Sequence, residues 1–316
     1  MTDKNPGAVP QSRVAAASNA DFSASHTTYH WIDVQGVRLF YREAGPKDAQ
    51  TVVLLHGFPS SSRMYEPLLS HLSGRYHLIA PDYPGFGHSE APSPARYAYT
   101  FDHLSETVAA LLEALRIDRY VLLMQDYGGP VGFRIALRHS SSVRAIIVQN
   151  ANTYHEGLGP KWTGIARYWA DRAAHFDEVE KFTSLEAAKQ RHVGNSPNAE
   201  LYNPDSWTDE HAMLSRLGQR EIQADLLYDY QTNIASYPVW QAWLRAHRPP
   251  TLVMWGRYDP SFVVPGALAY ARDVPDAEIH ILDAGHFALD EKAEQVAELV
   301  LTFLDRTLTR PKSTNH

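Results

Sequence analysis

The sequence predicts an α/β fold in which a doubly wound, mostly parallel sheet carries an inserted helical segment. Short apolar runs typical of strands buried on both faces alternate with amphipathic helical patterns. Reactive polar residues directly follow several of these runs, as expected where the carboxyl ends of parallel strands form a ligand-binding edge. Between Asn150 and Pro249, about a hundred residues contain no strongly strand-like run and are rich in Trp, Tyr, His and charge.

The individual elements follow from local patterns. Two strands, Trp31 to Val34 and Val37 to Tyr41, form a hairpin around Gly36. Six further strands follow: Thr51 to Leu55, Tyr76 to Ala80, Arg119 to Met124, Val143 to Gln149, a run through Val253 to Trp255, and Glu278 to Leu282. Apolar residues from Phe101 to Leu115 recur at helical spacing after Thr100, a plausible N-cap. A last helix is expected to end near Arg306.

These elements predict one core domain and one insertion. We expect a flexible N-terminal tail over residues 1–28, because that stretch is rich in Ser, Ala, Thr and Asn and has no periodic apolar positions. The core is predicted to comprise residues 29–152 and 246–308, with a helical cap over residues 153–245. A short C-terminal tail, residues 309–316, completes the prediction.

Composition excludes several functional classes. With 316 residues and 44% hydrophobic content the chain can bury a large core, and its net charge of −7 contains no acidic or basic block. Nucleic-acid binding and membrane-surface binding are therefore not expected. Cysteine is absent, and no segment has the length and apolarity of a membrane span or a secretory signal. We expect a cytoplasmic protein without a metal site.

The most informative segment is Gln125-Asp126-Tyr127-Gly128-Gly129-Pro130, which joins a buried strand to a helix. Small residues after Asp126 allow a sharp bend and close packing of the helix against the strand, and Pro130 suits a first helical turn. Taken alone, Asp126 could equally be an N-cap residue.

Two further segments supply partners for Asp126. Asp259 lies in the loop after the strand through Val253, and His286 follows the strand that ends at Leu282. Nucleophile, acid and histidine thus occur in that chain order, each just after a strand. A lone histidine after a strand is usually structural, but order and placement together indicate a catalytic triad of Asp126, Asp259 and His286.

A carboxylate nucleophile restricts the chemistry. It is already charged at neutral pH, and its attack on an ester or amide would give only a high-energy mixed anhydride. Attack on a saturated carbon gives an ordinary alkyl ester. The sequence therefore favours opening of epoxides or displacement of halide from carbon over ester and peptide hydrolysis.

With these motifs, the chain resembles α/β-hydrolases of the epoxide hydrolase and haloalkane dehalogenase branch, from about Tyr29 to Arg306. The resemblance includes His56-Gly57-Phe58-Pro59 and the segment from Asp82 to Ser89, in which Gly85 and Gly87 indicate a structural turn. It implies that the backbone N–H groups of Phe58 and Tyr127 form an oxyanion hole, and that a cis bond precedes Pro59. Met124 departs from the family, which usually has glycine two residues before the nucleophile.

The resemblance also implies roles in the cap. Epoxide hydrolases of this branch place two tyrosines over the nucleophile, and Tyr168 and Tyr230 resemble those positions, with Tyr228 as the competitor for the second. Haloalkane dehalogenases carry tryptophan directly after the nucleophile, where this chain has Tyr127, and many carry asparagine where it has Phe58. We expect the substrate pocket to be lined by His56, Pro59, Trp169, Tyr228 and Phe287.

The predicted function is that of a cofactor-independent epoxide hydrolase, which converts a lipophilic epoxide and water to a vicinal diol. Asp126 attacks carbon, Tyr168 and Tyr230 stabilise the departing oxygen, and His286, oriented by Asp259, activates water to hydrolyse the ester. The alternative is a haloalkane dehalogenase, favoured by the Gln125-Asp126 pair and the cap tryptophans. A third hypothesis is a binding protein that has kept the hydrolase fold without turnover.

Overall fold

The computed structural model describes residues 26–308, so most of the predicted N-terminal tail and the whole predicted C-terminal tail lie outside the described residues. Eight strands form within this range: β1 (Thr28–Val34), β2 (Val37–Ala44), β3 (Thr51–Leu55), β4 (His77–Pro81), β5 (Tyr120–Gln125), β6 (Val143–Gln149), β7 (Thr251–Gly256) and β8 (Glu278–Leu282). They join in one sheet of order β1-β2-β4-β3-β5-β6-β7-β8. β1 and β2 form the predicted hairpin, β2 and β4 are antiparallel, and all other pairs are parallel.

Helices cover both faces of this sheet, which confirms the predicted doubly wound α/β fold. In chain order they are α1 (Glu66–Leu72), α2 (Phe101–Ala114), α3 (Gly128–Arg138), α4 (Trp162–Ala170), α5 (Asp177–Thr183), α6 (Leu185–Val193), α7 (Pro204–Leu214), α8 (Gln219–His247), α9 (Val264–Asp273) and α10 (Leu289–Leu308). The hydroxyl of Thr100 accepts the N–H of His103 at 3.2 Å and so caps α2 as expected.

The central strand β5 shows how the two faces are separated. Leu122 and Met124 belong to the apolar cluster formed with α2, α3 and α9, whereas Val121 and Leu123 belong to the cluster formed with α1 and α10. Successive side chains of a strand point to opposite faces, so a continuous apolar run is what this position requires.

Five helices, α4 to α8, lie between β6 and β7 and form the cap. Buried Arg134 on α3 anchors it, donating to Asp102 at 2.5 Å and to Asn233 of α8 at 2.7 Å. A second anchor joins Asp229 of α8 to the N–H of Phe101 at 2.8 Å. None of the helices within residues 26–308 is long and apolar enough to cross a membrane.

The glycine turn after β4 also contacts the cap. Asp82 fixes the turn by accepting the N–H groups of Ser62 and His88 at 2.7 and 2.8 Å. The carbonyl of Gly85 in turn accepts a hydrogen bond from Gln219 of α8 at 2.8 Å. Gly87 has a φ of +52°, and a Cβ there would lie 2.0 Å from the Asp82 carboxylate. This segment is therefore a structural turn that supports the cap.

Candidate active site

The sharp turn between β5 and α3 exposes Asp126 at the carboxyl edge of the sheet. Asp126 has a φ of +48°, a left-handed conformation that is strained for a residue with a side chain. Two glycines make room for it: a Cβ on Gly57 would lie 2.0 Å from the Gln125 side chain, and one on Gly128 would lie 2.0 Å from the Leu55 carbonyl. Close backbone approach, not helix capping, therefore accounts for this arrangement.

Met124, the departure from the family pattern, is accommodated by a glycine on the helix. A Cβ on Gly132 of α3 would lie 2.3 Å from the Met124 sulfur. Met124 is fully buried, and its side chain occupies the space that the missing side chain of Gly132 leaves free. The larger residue in the strand is thus matched by a smaller one in the helix.

The two carboxylate oxygens of Asp126 have different neighbours. Oδ1 accepts the backbone N–H of Phe58 at 2.8 Å, and Oδ2 lies 3.5 Å from Nε2 of His286. The Phe58–Pro59 peptide bond is cis. Tyr127 is the N-cap residue of α3, so its backbone N–H has no partner within that helix. The N–H of Phe58 thus holds Oδ1, and Oδ2 is directed to His286.

His286 and Asp259 form a buried pair. Nδ1 of His286 lies 2.7 Å from Oδ2 of Asp259, and Oδ1 of Asp259 accepts the N–H groups of Ser261 and Phe262 at 2.6 and 3.1 Å. Burial raises the pKa of Asp259, but the charge and hydrogen bond of His286 outweigh it, and the net pKa is lowered. Asp259 is therefore ionised and can hold the Nδ1–H tautomer of His286.

Two amides that sequence reasoning did not assign to this pair support it. Asn150, at the end of β6, donates to Oδ2 of Asp259 at 2.8 Å. The amide nitrogen of Gln125 lies 2.9 Å from Nε2 of His286. Asn150 thus links the end of β6 to the carboxylate that follows β7.

The charges around His286 set its protonation. Burial lowers the pKa of His286, but the carboxylates of Asp259 and Asp126 outweigh it and raise the pKa to about 9. An uncharged ester at Asp126 would remove one of these two charges. The pKa of His286 would then fall, which favours the neutral base needed to activate water.

Tyr230 of α8 faces the nucleophile. Its ring lies 4.5 Å from Trp162 and 5.8 Å from Tyr127, measured between centroids. Burial raises the pKa of Tyr230 well above its ordinary value, and the charge of Asp126 raises it further. Among residues 26–308, the buried hydroxyl of Tyr127 has no hydrogen-bond partner, and that of Tyr230 makes no well-formed hydrogen bond, although it interacts with the hydroxyl of Tyr237. Both phenols can therefore turn to a bound ligand as donors.

The prediction for Tyr168 needs correction. Its hydroxyl donates to the backbone carbonyl of Ala224 at 3.0 Å, and its ring contacts Phe176 and Tyr228. Tyr228 and Tyr230 are two positions apart on α8, which separates their directions by about 200° around the helix. Tyr228 therefore points away from the side of α8 that carries Tyr230. Tyr228 is 37% exposed. We therefore retain it neither as a pocket residue nor as an alternative to Tyr230.

The remaining predicted pocket residues occupy three different environments. Trp169 stacks on Tyr230 with centroids 6.5 Å apart, and its indole N–H donates to the carbonyl of Leu227 at 2.8 Å. His56 is fully buried and stacks on Tyr83 at 4.1 Å, so it supports the turn after β4. Pro59 and Phe287 line a cleft of about 260 Å³ between cap and core.

Two cations near Asp126 were missed by the sequence reasoning. Arg191 of α6 and Lys161, just before α4, both interact electrostatically with Asp126. Arginine and lysine in a polar cap segment give no signal that separates them from surface charges. Only the packing of the cap on the core brings them to the site. No cluster of His, Asp or Glu side chains within residues 26–308 could hold a metal ion.

The chain matches the alpha/beta hydrolase fold family over residues 50–293. It is 40% identical to an uncharacterized hydrolase of Saccharomyces cerevisiae, over 87% of this chain and 96% of that protein. Identity is 27% to a cis-3-alkyl-4-alkyloxetan-2-one decarboxylase of Xanthomonas campestris, over 87% and 95% of the two chains. The chain is also 26% identical to a haloalkane dehalogenase of Psychrobacter cryohalolentis, over 93% of this chain and 96% of that protein.

Solved structures share the fold. Cfl2 from Burkholderia cenocepacia superposes with a TM-score of 0.73 at 22% identity, over 88% of this chain and 95% of that one. The epoxide hydrolase CorEH superposes with a TM-score of 0.66 at 20% identity, over 89% and 98% of the two chains. At these identities the likeness concerns the fold alone.

Proposed function

Because this chain belongs to the α/β-hydrolase fold family, we propose that it is an epoxide hydrolase that uses Asp126 as a covalent nucleophile. The chain is a hydrolase of this superfamily, and the bond that it opens is the subject of the proposal. The observation that carries it is the supply of hydrogen-bond donors around Asp126. An opening epoxide leaves an alkoxide that needs a proton, whereas a departing halide needs only N–H dipoles.

The donors around Asp126 suit the alkoxide. Within the described part of the chain, the buried hydroxyl of Tyr127 has no partner, and that of Tyr230 makes no well-formed hydrogen bond but interacts with the hydroxyl of Tyr237. The indole N–H groups of Trp162 and Trp169 already donate to the carbonyls of Ser261 and Leu227 at 2.9 and 2.8 Å. Phenol protons are thus available where indole N–H groups are occupied, which favours epoxide opening over halide release.

The first half-reaction forms an ester. Oδ2 of Asp126 attacks one epoxide carbon, the carbon–oxygen bond opposite breaks, and Tyr230 donates its proton to the departing oxygen. We propose Tyr127, in place of Tyr168, as the second phenol donor. The N–H of Phe58 holds Oδ1 at 2.8 Å, which keeps Oδ2 oriented towards the substrate.

The second half-reaction hydrolyses the ester. Nε2 of His286 takes a proton from water, and the resulting hydroxide adds to the carboxyl carbon of Asp126. The backbone N–H groups of Phe58 and Tyr127 stabilise the oxyanion that develops on Oδ1. Asp259 stabilises the imidazolium. Collapse of the tetrahedral intermediate expels the alkoxide, which takes the proton of the new carboxyl group and leaves as the diol, and the imidazolium proton returns to the Tyr230 phenolate.

A haloalkane dehalogenase is the second candidate, because a dehalogenase relative matches over nearly the whole chain. The discriminating experiment incubates the purified protein with styrene oxide, 1,2-epoxyhexane, 1-bromobutane and a dialkyl oxetan-2-one. Diol, bromide and carbon dioxide are measured in parallel. We expect diol alone. Bromide without diol would establish the second candidate, and carbon dioxide alone would point to decarboxylation.

The covalent step has its own test. His286→Gln removes the base for hydrolysis but not the nucleophile, so we expect intact-mass analysis to show the protein heavier by one epoxide. The matched control adds Asp126→Asn to the same variant and should show no adduct. An adduct that survives in the control would move the nucleophile to another residue.

A further inference from the structure

A second cleft of about 240 Å³ lies beside the catalytic residues, between α4, α5, α6 and the loop after β7. Arg191, Lys161, Phe182 and Pro260 line its inner wall. Pro260 directly follows the catalytic acid Asp259 in the chain. The cleft therefore reaches the loop whose Asp259 binds His286, the base of the proposed reaction.

Arg191 lies against the stacked pair of rings Phe58 and Phe182, whose centroids are 4.4 Å apart, and part of its hydrogen-bonding capacity is unused. Its guanidinium carbon lies 4.6 Å from the Phe58 ring centroid and 4.4 Å from that of Phe182. Nη2 donates to the Phe182 carbonyl at 2.7 Å, while buried Nη1 has no partner within residues 26–308. A buried donor without a partner is unfavourable unless a ligand supplies the acceptor.

Arg191 is also close to the nucleophile. The backbone N–H of Phe58 binds Asp126, and the ring of the same Phe58 stacks on Arg191. One side chain thus separates the guanidinium from the reacting carboxylate. The arginine is 5% exposed, so its charge acts in a poorly solvated environment.

Lys161 supplies a second positive charge on the same wall. Its ammonium donates to the hydroxyl of Ser261, two residues after Asp259. Burial lowers its pKa to about 8, and the charge of Arg191 contributes to the lowering. Two positive charges that repel each other thus lie on the same wall.

Asp126 attracts both cations and Asp259 attracts Lys161, but neither carboxylate forms an ion pair with them, and the other acidic residues nearby bind different partners. Glu178 lines the cleft but binds Arg167 and Lys181 at 3.2 and 3.1 Å. Glu210 interacts with Arg191 electrostatically but is bound to His192 at 2.8 Å. Within residues 26–308, neither Arg191 nor Lys161 forms an ion pair.

We propose that Arg191 and Lys161 form a subsite for a carboxylate carried by the substrate, so that the natural epoxide is an apolar molecule with an anionic end. This inference rests on the proposed function and refines its substrate class. A carboxylate would accept from Nη1 of Arg191 and from the ammonium of Lys161, which gives two charge-assisted hydrogen bonds. Phe58, Phe182 and the aromatic cap residues would enclose the apolar part.

The kinetic test uses a matched pair of substrates, 4-(oxiran-2-yl)benzoate and 4-(oxiran-2-yl)benzamide, which differ in charge and hardly in shape. We expect wild-type kcat/KM to favour the benzoate by about 10- to 100-fold, the range of a charge-assisted hydrogen bond. Arg191→Met and Lys161→Met should each remove most of this preference, because kcat/KM for the benzoate should fall about 10- to 100-fold further than kcat/KM for the benzamide.

The matched control is Lys181→Met. Lys181 lines the same cleft, but its side chain is exposed and binds Asp177 at 2.6 Å. It should keep the wild-type preference. Equal losses on both substrates in the Arg191 and Lys161 variants, or no preference in the wild type, would overturn the subsite.

A binding experiment separates this inference from the proposed function. Calorimetry with 4-ethylbenzoate and 4-ethylbenzamide, neither of which carries an epoxide, should show binding of the benzoate alone, lost in Arg191→Met. Benzoate binding without diol formation from any epoxide would overturn the proposed function and keep the subsite. Diol formation with no benzoate binding would overturn the subsite and keep the function.

Discussion

Replacing Tyr230 by Phe tests whether its hydroxyl stabilises the fold or donates a proton to the substrate. Its hydroxyl is buried, makes no well-formed hydrogen bond among the described residues and interacts with the hydroxyl of Tyr237. Removing it therefore takes little from the folded state, and we expect the free energy of unfolding to change by less than about 1 kcal/mol. The alkoxide of the opening epoxide, in contrast, loses a donor worth about 1.5–3 kcal/mol, which corresponds to about 10- to 150-fold slower ester formation.

Tyr168→Phe is the matched control for this variant. The Tyr168 hydroxyl donates to the Ala224 carbonyl at 3.0 Å, so its removal should lower the free energy of unfolding by about 1 kcal/mol. Ester formation should be unchanged. The two tyrosines are thus expected to show opposite patterns, one in rate and the other in stability.

The assay measures ester formation directly. Both changes are made in the His286→Gln variant, where the ester accumulates, and its appearance is followed by rapid quenching and intact-mass analysis under single-turnover conditions. Urea unfolding of the same proteins gives the stabilities. Unchanged ester formation in Tyr230→Phe, or a slowed reaction in Tyr168→Phe, would refute the assignment of the proton donor.

Three further predictions concern the charges at the site. Asp259→Asn should slow ester hydrolysis by about 10²- to 10⁴-fold with ester formation largely kept, because His286 loses the carboxylate that orients it, and burst kinetics check this. The pKa of His286 is about 9 with Asp126 ionised, so a pH profile of ester hydrolysis should rise with pH and level off below pH 9; an inflection at or above 9 would contradict the charge coupling. His192 binds Glu210 at 2.8 Å and its pKa is raised to about 10, so it stabilises the fold fully below its unfolded pKa of about 6.5 and loses this effect as pH rises through 10. Urea unfolding of wild type and His192→Gln should therefore differ at pH 6 and converge above pH 10.

The sequence by itself determined the fold and the order of the reactive residues. The strand boundaries of Thr51–Leu55, Val143–Gln149 and Glu278–Leu282 agree with the structure to the residue. A strand buried on both faces requires a continuous apolar run, and that requirement is local. Parallel strands also bring their carboxyl ends to one edge, so Asp126, Asp259 and His286 could be placed together before any contact was known.

The tertiary structure alone decided which cap side chains face that edge. Tyr228 and Tyr230 are equivalent in composition and nearly adjacent in sequence, but they point to opposite sides of α8, and the rotation of that helix depends on its packing against α3 through Arg134 and Asn233. The same packing turns Tyr168 towards Ala224 and brings Arg191 against Phe58. A helix in a cap presents polar residues on several faces, and its sequence does not state which face the core will cover. Long-range contacts fix that rotation, and with it the donors and cations that surround Asp126.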